Sequence, residues 1–140
     1  MINSSISNCG IISIPTMRDC RGDLGILEQS TLIPFHPKRT YFIYDVPDGE
    51  GRGGHAHKQL EQVMVAIHGS FRVDIDDGLD KASYTLSKPT EGLYISPGIW
   101  REIWDFQGDA ICLVTASENY QESDYIRDRS IYDSIYSANK

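Results

Sequence analysis

Gly51-Arg52-Gly53-Gly54-His55-Ala56-His57-Lys58-Gln59-Leu60-Glu61-Gln62, running into the apolar Val63-Met64-Val65-Ala66-Ile67, is the stretch that organises this chain. A run rich in β-branched residues reads as a strand, and residues two apart on a strand share a face, so His55 and His57 are expected to point the same way. An imidazole titrates near pH 6.5, and its neutral form is a common metal ligand. The pair therefore suits proton transfer, or, joined by Glu61, an open site of two imidazoles and a carboxylate. Gly49, Gly51, Gly53 and Gly54 allow tight or left-handed backbone, which brings the loop close to whatever the histidines face.

Working outward, the elements are short and separated by turn residues. Arg39 to Val46 has aromatic and β-branched strand composition, with Arg39, Tyr41 and Ile43 on one face and Thr40, Phe42 and Tyr44 on the other. Before it, Ile11 to Ile14 reads as a short edge strand closed by Pro15, Arg21 to Glu28 as a turn into a second strand, and Pro34-Phe35-His36-Pro37 as a break. After the histidines, His68-Gly69-Ser70 punctuates the chain, Phe71 to Asp76 alternates, Asp76-Asp77-Gly78 supplies a hairpin turn, and Ala82 to Leu86 returns. Leu93-Tyr94-Ile95 leads to the turn Ser96-Pro97-Gly98. Ile99 to Phe106 reads as an amphipathic strand, and Ala110 to Ser117, beyond Gly108-Asp109, as a separate buried one. The segment from Glu122 onward carries apolar pairs four apart, and Ser130 is placed to cap one short helix. The pattern predicts an all-β protein, a single domain over residues 1–140, built as an antiparallel jelly-roll sandwich or barrel with a C-terminal helix and a ligand held in its mouth.

Composition narrows the partners. With 13 Lys and Arg against 20 Asp and Glu, the formal charge of -7 disfavours broad attachment to nucleic acid or an anionic membrane, and an anionic ligand needs a local basic pocket. Cys9, Cys20 and Cys112 have neither disulfide nor zinc-ligand spacing, which fits a reducing cytoplasm. No signal peptide or apolar membrane span is evident in the sequence.

Gly49-x5-His55-x-His57-x3-Glu61-x7-Gly69 resembles the first signature of the cupin superfamily, and Gly92-x4-Pro97-Gly98 partly resembles the second. Lys38-Arg39-Thr40-Tyr41, Gly51 to Lys58, Gly69-Ser70-Phe71, Asp76-Asp77-Gly78, Gly92 to Ile95, Trp100-Arg101-Glu102 and Asp124 to Arg127 together resemble the sugar 3,4-ketoisomerases. That resemblance implies action on dTDP-4-keto-6-deoxyglucose on the way to dTDP-linked 3-amino-3,6-dideoxyhexoses. It also implies no cofactor, no metal and a homodimer. Where metal-binding cupins carry a third histidine this chain reads Ile99-Trp100-Arg101, so a three-histidine site cannot form, and the arginine opposes a dication.

On this reading His55 and His57 are the acid/base pair and Tyr41 polarises or relays protons at the sugar oxygens. Which histidine is the base stays open. Arg52, Arg39 and Arg101, with Arg21 behind them, are the candidates to grip the pyrophosphate, since a guanidinium offers paired donors to phosphate oxygens. Trp100 or Tyr94 is the candidate to stack on thymine. A 3,5-epimerase and a non-catalytic sugar-binding cupin are the rival readings.

Overall fold

The computed structural model describes residues 4–137. Its strands are β1 (Gly10–Ser13), β2 (Thr16–Asp19), β3 (Gly22–Gly25), β4 (Arg39–Ile43), β5 (Arg52–His57), β6 (Gln62–Asp76), β7 (Lys81–Leu86), β8 (Glu91–Ile95), β9 (Trp100–Ala116) and β10 (Tyr125–Ile126), followed by helix α1 (Arg129–Tyr136). The pairings are antiparallel and run β1-β8-β6-β9-β5-β10, with β4 also on β9 and β7 also on β6, while β2 and β3 form a separate hairpin. The fold is all-β as expected. The ladder is open among the described residues, so the closed-barrel alternative is set aside.

Two long strands carry the architecture, and both depart from the sequence expectation. Val63–Ile67 and Phe71–Asp76 belong to one strand, β6, and the two runs around Gly108 belong to one strand, β9. The expected breaks are bulges: the β6–β9 register shifts between Ala66 and Arg72, where Gly69 and Gly108 take φ of 65° and 68°. A bulge bends a strand without ending it, and the bend lets each strand serve two parts of the sandwich. Thus β6 pairs with β8 through Gln62–Val65 and with β7 through Phe71–Asp76.

The apolar run on β6 is continuous because both of its faces are covered. Met64 and Ala66 face the main core with Val73, Ile75, Leu93, Ile95, Ile103 and Val114. Val63 and Val65 face a second cluster with Ile14, Ile33 and Phe35. Helix α1 covers a third cluster through Tyr132 and Tyr136, packed on Trp100 and Ile126. Its N-cap is Asp128, whose side chain accepts from the Ser130 and Ile131 amides, and not the expected Ser130, which lies inside the first turn. A carboxylate at that position satisfies two amides and meets the positive end of the helix.

Candidate active site

β4, β5 and β9 bring the site together. Period-2 geometry on β4 turns Arg39, Tyr41 and Ile43 inward and leaves Thr40 and Phe42 exposed, as the sequence predicts. The glycine-rich entry to β5 presses against β9: a Cβ at Gly51, just ahead of the strand, would lie 2.7 Å from the Trp104 ring, and one at Gly53 within it, where φ is +86°, would lie 2.9 Å from the Arg101 carbonyl. Glycine is required at both positions, and the resulting approach seats His55 opposite Arg101.

A cavity of about 420 Å³ opens between these strands, within the range of small-molecule sites. Tyr41, His55, Arg39, Arg52 and Arg101 line it, joined by Tyr125 and Arg127 from the C-terminal segment. His55 and His57 lie on the same side, with ring centroids 4.9 Å apart and nearly perpendicular planes. Only His55 of the two reaches the cavity lining; the His57 ring is fully buried behind it. The Tyr125 ring closes the group, 5.0 Å from His55 and 4.3 Å from His57.

Charge and burial set the protonation states. Burial, and then the Arg101 charge, push His55 down to about 4. His57 is held far below the ordinary imidazole range by burial first and then by Arg101, His55, Arg39 and Arg127; its Nδ1 lies 3.2 Å from the Asp124 carboxylate. Both rings are therefore neutral at pH 7, the form that accepts a proton. Tyr41 is pushed up, mainly by burial, so its phenol keeps its proton. That phenol accepts a hydrogen bond from the Gln62 amide at 3.0 Å, and the Gln62 carbonyl in turn accepts from Arg101. Arg101 is wholly buried and also donates twice to the Ile99 carbonyl, at 3.1 and 3.0 Å. It is a fixed positive floor rather than a mobile clamp.

Arg39 differs. Its Nε and Nη2 are buried without a hydrogen-bond partner among the described residues, while its guanidinium lies over the rings of Tyr41 and Tyr120. Burying unpaired guanidinium donors is costly, so this group is poised for an anionic acceptor. Arg52 is an exposed rim residue, and Arg127 is held at the mouth by Glu122 at 2.7 and 3.0 Å.

Three expected site residues are elsewhere. Trp100 packs on Tyr132 in the helix cluster because neighbouring strand residues face opposite ways, and Arg101 takes the inward position. Tyr94 packs against Phe35 and donates to Glu61 at 2.6 Å. Arg21, 86 % exposed and paired with Asp19, sits in the turn of the β2–β3 hairpin, outside the cavity of its own chain. Because Glu61 is engaged by Tyr94, it does not complete a facial triad, and among the described residues no three His, Cys, Asp or Glu side chains converge as a metal set. The residues present do not fit a bound dication.

Sequence reasoning missed Gln62, Asp124, Tyr125 and Arg127 as site residues. The last three belong to a motif that the resemblance already contained, Asp124-Tyr125-Ile126-Arg127, and β10 aligns Tyr125 directly across from His57.

The family model described as FdtA: WxcM-like, C-terminal, matches residues 7–137. The chain belongs to that family. A curated relative from Aneurinibacillus thermoaerophilus, a TDP-4-oxo-6-deoxy-alpha-D-glucose-3,4-oxoisomerase, is 46% identical over 117 residues, 84% of each protein. The sugar 3,4-ketoisomerase QdtA from Thermoanaerobacterium thermosaccharolyticum, solved in complex with TDP, superposes with a TM-score of 0.91 at 36% identity, covering 96% of this chain and 98% of that one. A 3,4-ketoisomerase from Helicobacter canadensis gives 0.87 at 40% identity, covering 91% and 96%. Membership of this WxcM-like family makes the chain an isomerase of the 3,4-ketoisomerase group. Among the described residues no helix is long and apolar enough to cross a membrane.

Proposed function

We propose that this enzyme moves the keto group of dTDP-4-keto-6-deoxy-D-glucose from C4 to C3 by metal-independent proton transfer. The observation that carries this reading is the juxtaposition, on one cavity, of a neutral imidazole backed by a second, a protonated phenol and buried, unpartnered Arg39 donors. An acid/base centre and an anion subsite are what a charged nucleotide carrying an acidic C–H requires. The C3 proton is acidified by the adjacent C4 carbonyl. A histidine removes it, the electrons move onto O4 as an enediolate, a proton is delivered to C4, and the hydroxyl proton passes from O3 to O4. His55 is the group at the reacting carbons, with His57 behind it and Tyr41 relaying between the two oxygens. Arg39 and Arg52 meet the charge of the pyrophosphate, Arg127 joins them on the same lining, and the buried Arg101 adds its fixed charge beneath the site.

The 3-keto product suits transamination to a 3-amino-3,6-dideoxyhexose. We assign the reaction to a single domain working in the cytoplasm, where Cys9, Cys20 and Cys112 stay as thiols. We also propose a homodimer. Met17 and Leu24 on the detached β2–β3 hairpin are 66% and 56% exposed, and Ile11 on edge strand β1 is 42% exposed, apolar surface that a second copy would cover. A monomeric mass by light scattering at micromolar concentration would count against the dimer.

Incubation with dTDP-4-keto-6-deoxyglucose in D₂O, followed by NMR, tests the reaction. A 3-keto product carrying deuterium at C4 supports it, and full turnover after exhaustive chelation supports metal independence. Retention of the C4 ketone with inversion at C3 or C5 would establish the epimerase instead, and binding without turnover a sugar-binding protein.

A further inference from the structure

Asp124 is tied to the site by three bonds. Its Oδ2 lies 3.2 Å from His57 Nδ1, its Oδ1 accepts from the Gln59 amide at 2.8 Å, and its backbone carbonyl accepts from the Lys58 amide at 2.9 Å. The backbone leaving β5 therefore fixes the carboxylate against a histidine whose own carbonyl is held by the Gly98 amide at 2.7 Å. Neither partner is free to drift. An ionised carboxylate only accepts, so in the neutral ring the proton resides on Nδ1 and the lone pair on Nε2. Nε2 occupies the edge of the ring opposite Asp124, buried and without a partner among the described residues.

We propose that Asp124 is a positioning residue for the isomerisation, holding His57 as the Nδ1–H tautomer so that its Nε2 lone pair backs His55, the group at the reacting carbons, as the second proton acceptor of the pair. This rests on the proton-transfer reading above and gives Asp124, which the sequence offered only as part of a motif, a role. The bland account of the same contact is a clasp that merely fastens β10 to β5. The two differ in what a change of polarity at one atom does. In Asp124→Asn the side-chain carbonyl still accepts from the Gln59 amide, because two donors cannot face each other, and the new NH₂ group then points at Nδ1. The clasp survives, but the ring must now accept at Nδ1 and carry its proton on Nε2. Such a carboxylate-to-amide change leaves geometry intact while imposing the wrong tautomer.

The experiment compares Asp124→Asn and His57→Asn with the unaltered enzyme by steady-state kinetics, dTDP calorimetry, thermal melting and ¹⁵N NMR of labelled histidine. The expected result for Asp124→Asn is a fall in kcat of about 10²-fold or more, with KM, dTDP affinity and melting temperature little changed and the His57 proton shifted from Nδ1 to Nε2. Full turnover in Asp124→Asn, an unchanged tautomer, or an activity loss matched by lost stability would overturn the proposal and leave the clasp. His57→Asn separates this from the reading beneath it. If that variant keeps wild-type turnover, proton transfer through His57 fails and Asp124 with it. An inactive His57→Asn beside an active Asp124→Asn removes the positioning role alone.

Discussion

His55, Tyr41 and Arg39 were legible because strand parity is a strong rule: each is two residues from another group that faces the cavity, and each faces it too. The same rule applied to Trp100 and Arg101 would have excluded the tryptophan, since neighbours on one strand cannot share a face. Tyr125 and Asp124, though quoted within the resemblance motif, had no periodicity to place them, because Tyr125 lies on a strand of two residues and Asp124 ends a single turn just before it. Arg101 is where the reading changes most. Expected at the pyrophosphate, it is wholly buried, bonded to Gln62 and Ile99, and its charge acts on both imidazoles. Arg101→Gln should therefore raise the His55 titration from about 4 toward the ordinary value near 6.5, read by NMR. An unmoved His55 would mean that burial alone holds it down. Arg39→Ala should instead weaken dTDP binding by about 1.5–3 kcal/mol per lost charged hydrogen bond, measured by calorimetry. In His55→Asn, kcat should drop by about 10²-fold or more with dTDP affinity little changed, in steady-state kinetics alongside that calorimetry.

At the level of elements, composition revealed the strand-forming segments but not their continuity. Gly69 and Gly108 carry the same turn signal whether a chain reverses or bulges, and the difference lies in the partner strand, which a local reading does not contain. Gly69 tests the point. A Cβ there would lie 2.3 Å from the Gln107 carbonyl oxygen and 2.7 Å from the Ala110 Cα, at a φ of +65° that side chains other than glycine rarely adopt. Backbone atoms on a paired strand cannot step aside, so Gly69→Ala should cost about 2 kcal/mol or more, seen as a lower denaturation midpoint. The helix cap gives a milder contrast. Asp128→Ala removes the acceptor for the Ser130 and Ile131 amides and should cost about 1 kcal/mol. A loss at Gly69 no greater than that at Asp128 would mean the bulge relaxes, against the tight crossing seen between β6 and β9.

For the whole molecule, the charge balance showed that an acidic protein would need a basic pocket, and the fold supplies one by converging Arg39, Arg52, Arg101 and Arg127 from four strands or loops onto a single cavity. Gathering cations around two imidazoles has a consequence for stability. His55 is pushed down to about 4 and His57 is lowered as well, whereas both return to about 6.5 in the unfolded chain. Between those values the unfolded state binds more protons than the folded one, so the free energy of unfolding rises with pH across that window and falls on acidification. The slope approaches about 1.4 kcal/mol per pH unit for each histidine. The carboxylates with lowered values, Asp74 and Asp128 among them, contribute in the same direction but only below their unfolded values near 4. Stability should therefore decline as pH drops from about 6.5 to 4.5, before those carboxylates titrate. Chemical denaturation at a series of pH values, on the unaltered protein and on a His55→Asn, His57→Asn double variant, separates the two contributions. The double variant should be nearly flat from pH 6.5 to 4.5 and lose stability only below that. If it declines as steeply as the parent, other groups carry the proton uptake, and the imidazole pair is not held neutral by the arginines and the burial that surround it.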